Sequence, residues 1–200
     1  MGVPKVVIVG RPNVGKSSIF NWLIGERVAI VDATAGVTRD RMAHPLELED
    51  RYIELIDTGG MGIEDVDDLT AHIEEQIATA VDSADLILFV VDTRSGPVPL
   101  DIEVSERLRH VRANVICVAN KTDTPEMEPN ADEFYQFGRP VTVVSAQQKR
   151  GRSELIAEIE NGLPPVVEGG EEPDEDAEMR VAIVGRRNTG KSTFVNTLGE

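Results

Sequence analysis

The sequence predicts an α/β chain with a doubly wound, mostly parallel six-stranded sheet and one antiparallel edge strand. Three observations carry this expectation. Apolar runs rich in Val and Ile alternate with segments whose apolar residues recur at helical spacing, as strand–helix units require. Two runs, His44–Glu49 and Tyr52–Ile56, are separated only by the turn Asp50-Arg51, so they pair antiparallel at one edge. The first run, Lys5-Val6-Val7-Ile8-Val9, leads through Gly10-Arg11-Pro12-Asn13-Val14-Gly15-Lys16-Ser17 into a helical pattern of Ile19, Phe20, Leu23 and Ile24. That is the strand–loop–helix setting of the P-loop pattern G-x-x-x-x-G-K-[ST], and it marks a P-loop NTPase.

The loop's residue types follow from its task. Gly10 and Gly15 let the backbone curl so that successive N–H groups, through Ser18 at the helix start, converge on phosphate oxygens. Lys16 reaches the β- and γ-phosphates, and the Ser17 hydroxyl is placed to ligate Mg²⁺. Beyond the first helix, residues 26–43 form a polar loop too long for a connector, which includes Thr38. The strand Tyr52–Ile56 runs into Asp57-Thr58-Gly59-Gly60. A carboxylate there is placed to hold the Mg²⁺ shell through water, and Gly60 lets a backbone N–H approach the γ-phosphate closely.

Further along, Leu69, Ile73, Ile77, Ala80 and Val81 predict a helix, Leu86–Val91 a buried strand ending at Asp92, Val104, Leu108 and Val111 another helix, and Val115–Ala119 another buried strand. Asp101 and Glu103 read as an acidic helix start that favours the helix dipole and nothing more. The strand ending at Ala119 opens into Asn120-Lys121-Thr122-Asp123. A carboxylate at Asp123 can accept both N1–H and the 2-amino group of guanine; adenine offers neither. Asn120 is expected to tie this loop to the P-loop, and the Lys121 stem to lie over the base. The last strand, Val141–Val144, runs into Ser145-Ala146, where a backbone N–H can read guanine O6, and Leu155, Ile156 and Ile159 predict the closing helix.

Composition narrows the class. The 200 residues carry a formal net charge of −16, which argues against a surface that coats nucleic acid. The lone Cys117 lies in an apolar run and reads as core, which excludes a disulfide framework. No apolar run approaches a membrane span, and no signal segment is visible, so a soluble cytoplasmic protein is expected. His44, His72 and His110 have no ligand spacing, and Trp22 reads as core.

Residues 166–179 are acidic and rich in Gly and Pro, and read as a linker after a first domain at 1–165. At 180–200 the opening returns. Val181–Ser192 repeats Val6–Ser17 with nine of twelve positions identical, including Gly185, Asn188, Gly190, Lys191 and Ser192 of a second P-loop. About twenty residues cannot bury a core, so this reads as the truncated start of a second domain.

The order GRPNVGKS, GVTRDR, DTGG, NKTD, SA, linker and second P-loop resembles the EngA (Der) family of bacterial tandem GTPases, relatives of Era. The resemblance covers the whole chain. It implies a Ras-like GTPase domain that hydrolyses GTP to GDP, coupled to assembly of the large ribosomal subunit, with rRNA, ribosomal protein and the family's second GTPase and KH-like domains as partners. By position, Thr38 resembles the switch residue that closes on Mg²⁺ and the γ-phosphate, and Asp57 the residue that bridges to that metal. Asn13 resembles the asparagine that places K⁺ in potassium-activated relatives. Met61 stands where Ras-like enzymes carry the Gln that orients water, which implies slow intrinsic turnover with K⁺ assistance. A second reading stays open: a GTP- or GDP-sensing module with little hydrolysis, whose ordered loops present a docking surface to RNA or protein. A catalytic role for Arg11, Arg39 or Arg41 is disfavoured, since each also fits a solvated loop.

Overall fold

The computed structural model describes residues 3–25, 42–58 and 84–165, together with Glu74, Ile77 and Ala78, which are helical. Thr38, Gly59, Gly60, Met61, the linker and the second P-loop lie outside the described residues.

Six strands form one sheet: β1 (Lys5–Val9), β2 (Met42–Glu47), β3 (Tyr52–Asp57), β4 (Leu86–Asp92), β5 (Asn114–Asn120) and β6 (Val141–Val143). Their order is β2-β3-β1-β4-β5-β6, with β2 antiparallel to β3 and every other neighbouring pair parallel. The expected topology is the observed one. Strand ends shift by a few residues: β2 begins at Met42 and stops at Glu47, and Pro45 is accommodated because β2 is an edge strand.

Both sheet faces are covered, which explains the continuous apolar runs. On one face lie Val6, Ile8, Leu86, Leu88, Val90, Ile116 and Val118, packed with Ile19 and Leu23 of α1 (Lys16–Ile24) and with Leu155 and Ile159 of α3 (Arg152–Gly162). On the other lie Val7, Val9, Ile87, Phe89, Val91 and Cys117, packed with Val104 and Leu108 of α2 (Pro99–Leu108). The period of two assigns alternate residues to opposite layers, and each fully buried side chain contributes about 1.5–3 kcal/mol. Cys117 is fully buried, and desolvation pushes its thiol up to about 12, as a core residue requires. Trp22 is half-buried against the first layer, and His110 is exposed.

One element has no counterpart in the sequence reading. Residues Pro125–Phe137 form a 3-10 helix. Its buried residues are Ala131, Phe134 and Phe137, spaced by three, which is the 3-10 repeat and not the 3.6 of an α-helix. Phe137 packs 5.6 Å from Phe89, centroid to centroid, so the segment closes the second layer beside β5.

Candidate nucleotide site

The carboxyl ends of β1, β3, β4 and β5 converge, and the polar residues gather there. Two backbone constraints set the P-loop between β1 and α1. Gly15 has φ +96°, and a Cβ there would collide with the Asn120 amide; a Cβ on Gly10 would meet the Val90 carbonyl. Both positions therefore need glycine for space as well as for conformation. Asn13, at the exposed tip, takes φ 65° without being glycine, a conformation Asn tolerates better than most residues.

Lys16 is 6% exposed. Its Nζ donates to the carbonyls of Gly10 at 2.7 Å and Arg11 at 3.0 Å, which curls the loop around it. Burial lowers its pKa to about 8, against a raising influence from the Asp57 carboxylate and a further lowering from Arg11. Asp57 is fully buried at the end of β3, and its neighbour Thr58 donates its hydroxyl to Ile8 O at 2.6 Å, which fixes the β3 end against β1. Ser17 follows Lys16 in the first turn of α1, half-buried, with Ser18 exposed beside it.

Hydroxyl and carboxylate oxygens suit a hard cation such as Mg²⁺. Among the described residues no group of three or more His, Cys, Asp or Glu converges. The half-buried Ser17 hydroxyl and the buried Asp57 carboxylate fit that donor chemistry, with Asp57 acting through water.

The Arg11 side chain is held by Asp101 and Ser95. Its Nε lies 3.2 Å from Asp101 Oδ1, and its Nη2 donates to Ser95 Oγ at 2.6 Å. This corrects the expectation for Asp101, which does more than complement a helix dipole. It is fully buried, accepts the Val98 N–H at 3.3 Å to cap α2, and anchors the P-loop through Arg11. Burial raises its carboxyl pKa despite that arginine.

The base-reading loop is stitched to the P-loop at two adjacent carbonyls. Asn120 Nδ2 donates to Val14 O at 2.9 Å, as expected of it. Lys121, with φ 66°, extends Nζ to Asn13 O at 2.5 Å and to Asp92 Oδ2 at 2.7 Å. Asp123 accepts the Ser145 hydroxyl at 2.6 Å on Oδ1 and the Arg94 guanidinium on Oδ2. These contacts, Ser145 first, hold its carboxyl below the usual range. The Ser145 N–H donates to Arg150 O at 3.0 Å, while the Ala146 N–H meets Asn120 Oδ1 at 3.2 Å. The two backbone N–H groups that the sequence offers to guanine O6 thus both have partners within the chain, and Ser145 meets Asp123 through its hydroxyl.

The loop after β1 and the loop after β5, over a hundred positions apart in the chain, are therefore bonded into one contiguous site. A sequence profile described as "50S ribosome-binding GTPase" matches residues 5–121. The chain belongs to this family. A relative named GTPase Der from Rhodopirellula baltica is 56% identical over 206 residues, which is the whole of this chain and 44% of the relative. The chain spans less than half the length of the curated relatives it matches. Among solved structures, Aquifex aeolicus Era bound to GDP and AlF4⁻ matches with a TM-score of 0.63 and 30% identity, over 82% of this chain and 58% of that one. An Era complex with MgGDPNP and a 16S ribosomal RNA segment matches with a TM-score of 0.64 and 30% identity, over 88% and 61%. Within the family fold, the described residues contain no helix long and apolar enough to cross a membrane.

Proposed function

We propose that this chain binds GTP, hydrolyses it to GDP and phosphate, and works as a nucleotide switch in assembly of the large ribosomal subunit. The observation that carries the nucleotide part is the direct bonding of Asn120 and Lys121 to Val14 O and Asn13 O, which joins a phosphate loop to a guanine-specific loop. In this reading the P-loop from Gly10 to Ser18, with Gly60, holds the phosphates, and Asn120, Lys121, Asp123, Ser145 and Ala146 hold the base. Ser17 and Thr38, and Asp57 through water, would hold Mg²⁺, which would neutralise phosphate charge; the chain's own contribution is positioning and fixed dipoles.

The ribosomal role is supported by the family's description and by the RNA held in the Era neighbour. We also infer a slow intrinsic rate, because Met61 cannot orient water as a Gln does, and stimulation by K⁺ held beside the exposed Asn13. The domain reading is 1–165 for the first GTPase domain, 166–179 for the linker and 180–200 for the start of the second, in a cytoplasmic protein.

Single-turnover GTP hydrolysis by the 200-residue chain, in KCl and in NaCl, tests the reading. A rate at least about tenfold higher in KCl, with the excess lost in Asn13→Ala, is expected. Tight GTP binding with equal, near-zero hydrolysis in both salts contradicts the enzyme and leaves the binding module.

A further inference from the structure

We propose that Arg94 is a specificity-determining positioning residue for the guanine site: with Ser145 it clamps Asp123 from both oxygens and so orients the carboxylate that reads the base. The inference rests on the guanine-binding reading above. Nothing in the local sequence around Arg94 marks it, because its partner lies 29 positions further on.

The backbone brings the two together. Strands β4 and β5 end in register, Asp92 opposite Asn120. Just beyond, the Thr93 N–H donates to Asn120 O at 2.9 Å, and the Thr93 and Thr122 hydroxyls share a hydrogen bond of 2.8 Å. Asp92 then fixes the turn: its Oδ1 accepts the Arg94 N–H at 3.0 Å, and its carbonyl accepts the Ser95 N–H at 3.2 Å. Arg94 therefore leaves a pinned backbone, although its side chain is 53% exposed, and its guanidinium meets Asp123, whose side chain is only 13% exposed.

The lone-pair count decides what this pairing is for. A carboxylate offers about four acceptor positions, two on each oxygen. Ser145 takes one on Oδ1 and Arg94 one on Oδ2. One position remains on each oxygen, and two adjacent acceptors match the N1–H and 2-amino donors of guanine. Lys121 is committed to Asn13 O and Asp92 Oδ2, and Arg150 to Thr122 O and Glu128. Among the described residues, Arg94 is thus the cation that bonds the base-reading carboxylate. A carboxylate held at both ends cannot turn to satisfy a base with only one of the two donors, so the clamp sharpens discrimination against hypoxanthine, which lacks the 2-amino group.

The test compares GDP, IDP and ADP as competitors of a fluorescent guanine nucleotide on the 200-residue chain, for wild type, Arg94→Ala and Arg94→Lys. Arg94→Ala is expected to weaken GDP about tenfold but IDP less than about threefold, modest values because the arginine is half-exposed. Arg94→Lys should recover part of the GDP affinity, since a point charge replaces the fork imperfectly. Unchanged or tighter GDP binding in Arg94→Ala, or equal weakening of GDP and IDP, overturns the role of Arg94 while the guanine reading stands. A wild-type chain that does not distinguish GDP from ADP overturns the guanine reading and the role of Arg94 together.

Discussion

The phosphate loop and the base loop are built by different means. The P-loop is shaped by backbone: glycines where a Cβ would collide, and a buried lysine bonded to the loop's own carbonyls. The base loop is shaped by side chains, with Asn120, Lys121, Asp123 and Ser145 each spanning to another element or to one another. The difference has a chemical reason. Phosphate oxygens accept from any N–H, so a curled backbone suffices, whereas a base is told from its analogues only by donors and acceptors at fixed positions. The seam between the loops, Asn120 on Val14 O with Gly15 beneath it, is where both designs fail together.

The largest expected effect is therefore at that seam. Gly15→Ala places a methyl group against the Asn120 amide at φ +96°, and nucleotide affinity should fall by more than about 100-fold. Titration with GDP checks this; a loss under about threefold would mean that the loops are not coupled through Gly15. Next comes Asn120→Ala, which strips buried Val14 O and the Ala146 N–H of their partner. Thermal unfolding should show a loss of about 1–3 kcal/mol without nucleotide, because these bonds hold the fold as well as the site. Asp101→Ala acts on the phosphate side alone. It leaves a largely shielded Arg11 with Ser95 and removes a helix cap, and should cost about 2 kcal/mol while the ratio of GDP to IDP affinity stays constant.

The last effect is a pH dependence set by Lys16 in the P-loop. Lys16 is shifted from 10.5 to about 8 by burial. Between those values the unfolded chain binds more protons, so stability rises with pH through that window. The cost of burying the charge is fully present below about pH 8 and relieved as pH approaches 10.5. Denaturant unfolding at pH 8 and pH 10 should show this slope in wild type and a flatter one in Lys16→Met. Bound phosphate opposes the shift, so nucleotide binding near pH 9 should be accompanied by proton uptake, measurable by calorimetry in two buffers.

The same contrast explains which features are legible in the sequence. The sheet's class, mostly parallel with one antiparallel edge strand, follows from apolar runs and a single two-residue turn, because the central parallel strands are buried on both faces and their sequences show it. The phosphate loop was legible as a contiguous motif in its strand-to-helix setting, and so was the tetrad at the end of β5. The 3-10 helix at Pro125–Phe137 was not, since Ala131, Phe134 and Phe137 match neither the helical nor the strand period. Asp101 and Arg94 were missed for another reason. Their partners, Arg11 and Asp123, lie 90 and 29 positions away, and no local pattern records a contact made by the meeting of strand ends. Asp101 also carried a sufficient local explanation at a helix start, which hid its burial.

The most direct test of one joined guanine-nucleotide site is a competition titration of GDP against ADP on wild type, Lys16→Ala and Asp123→Ala. The account predicts that wild type prefers GDP by at least about 100-fold, that Lys16→Ala weakens GDP while keeping the preference, and that Asp123→Ala abolishes the preference while retaining weak binding of both. GDP and ADP binding equally to wild type, or a preference unmoved by Asp123→Ala, would contradict it.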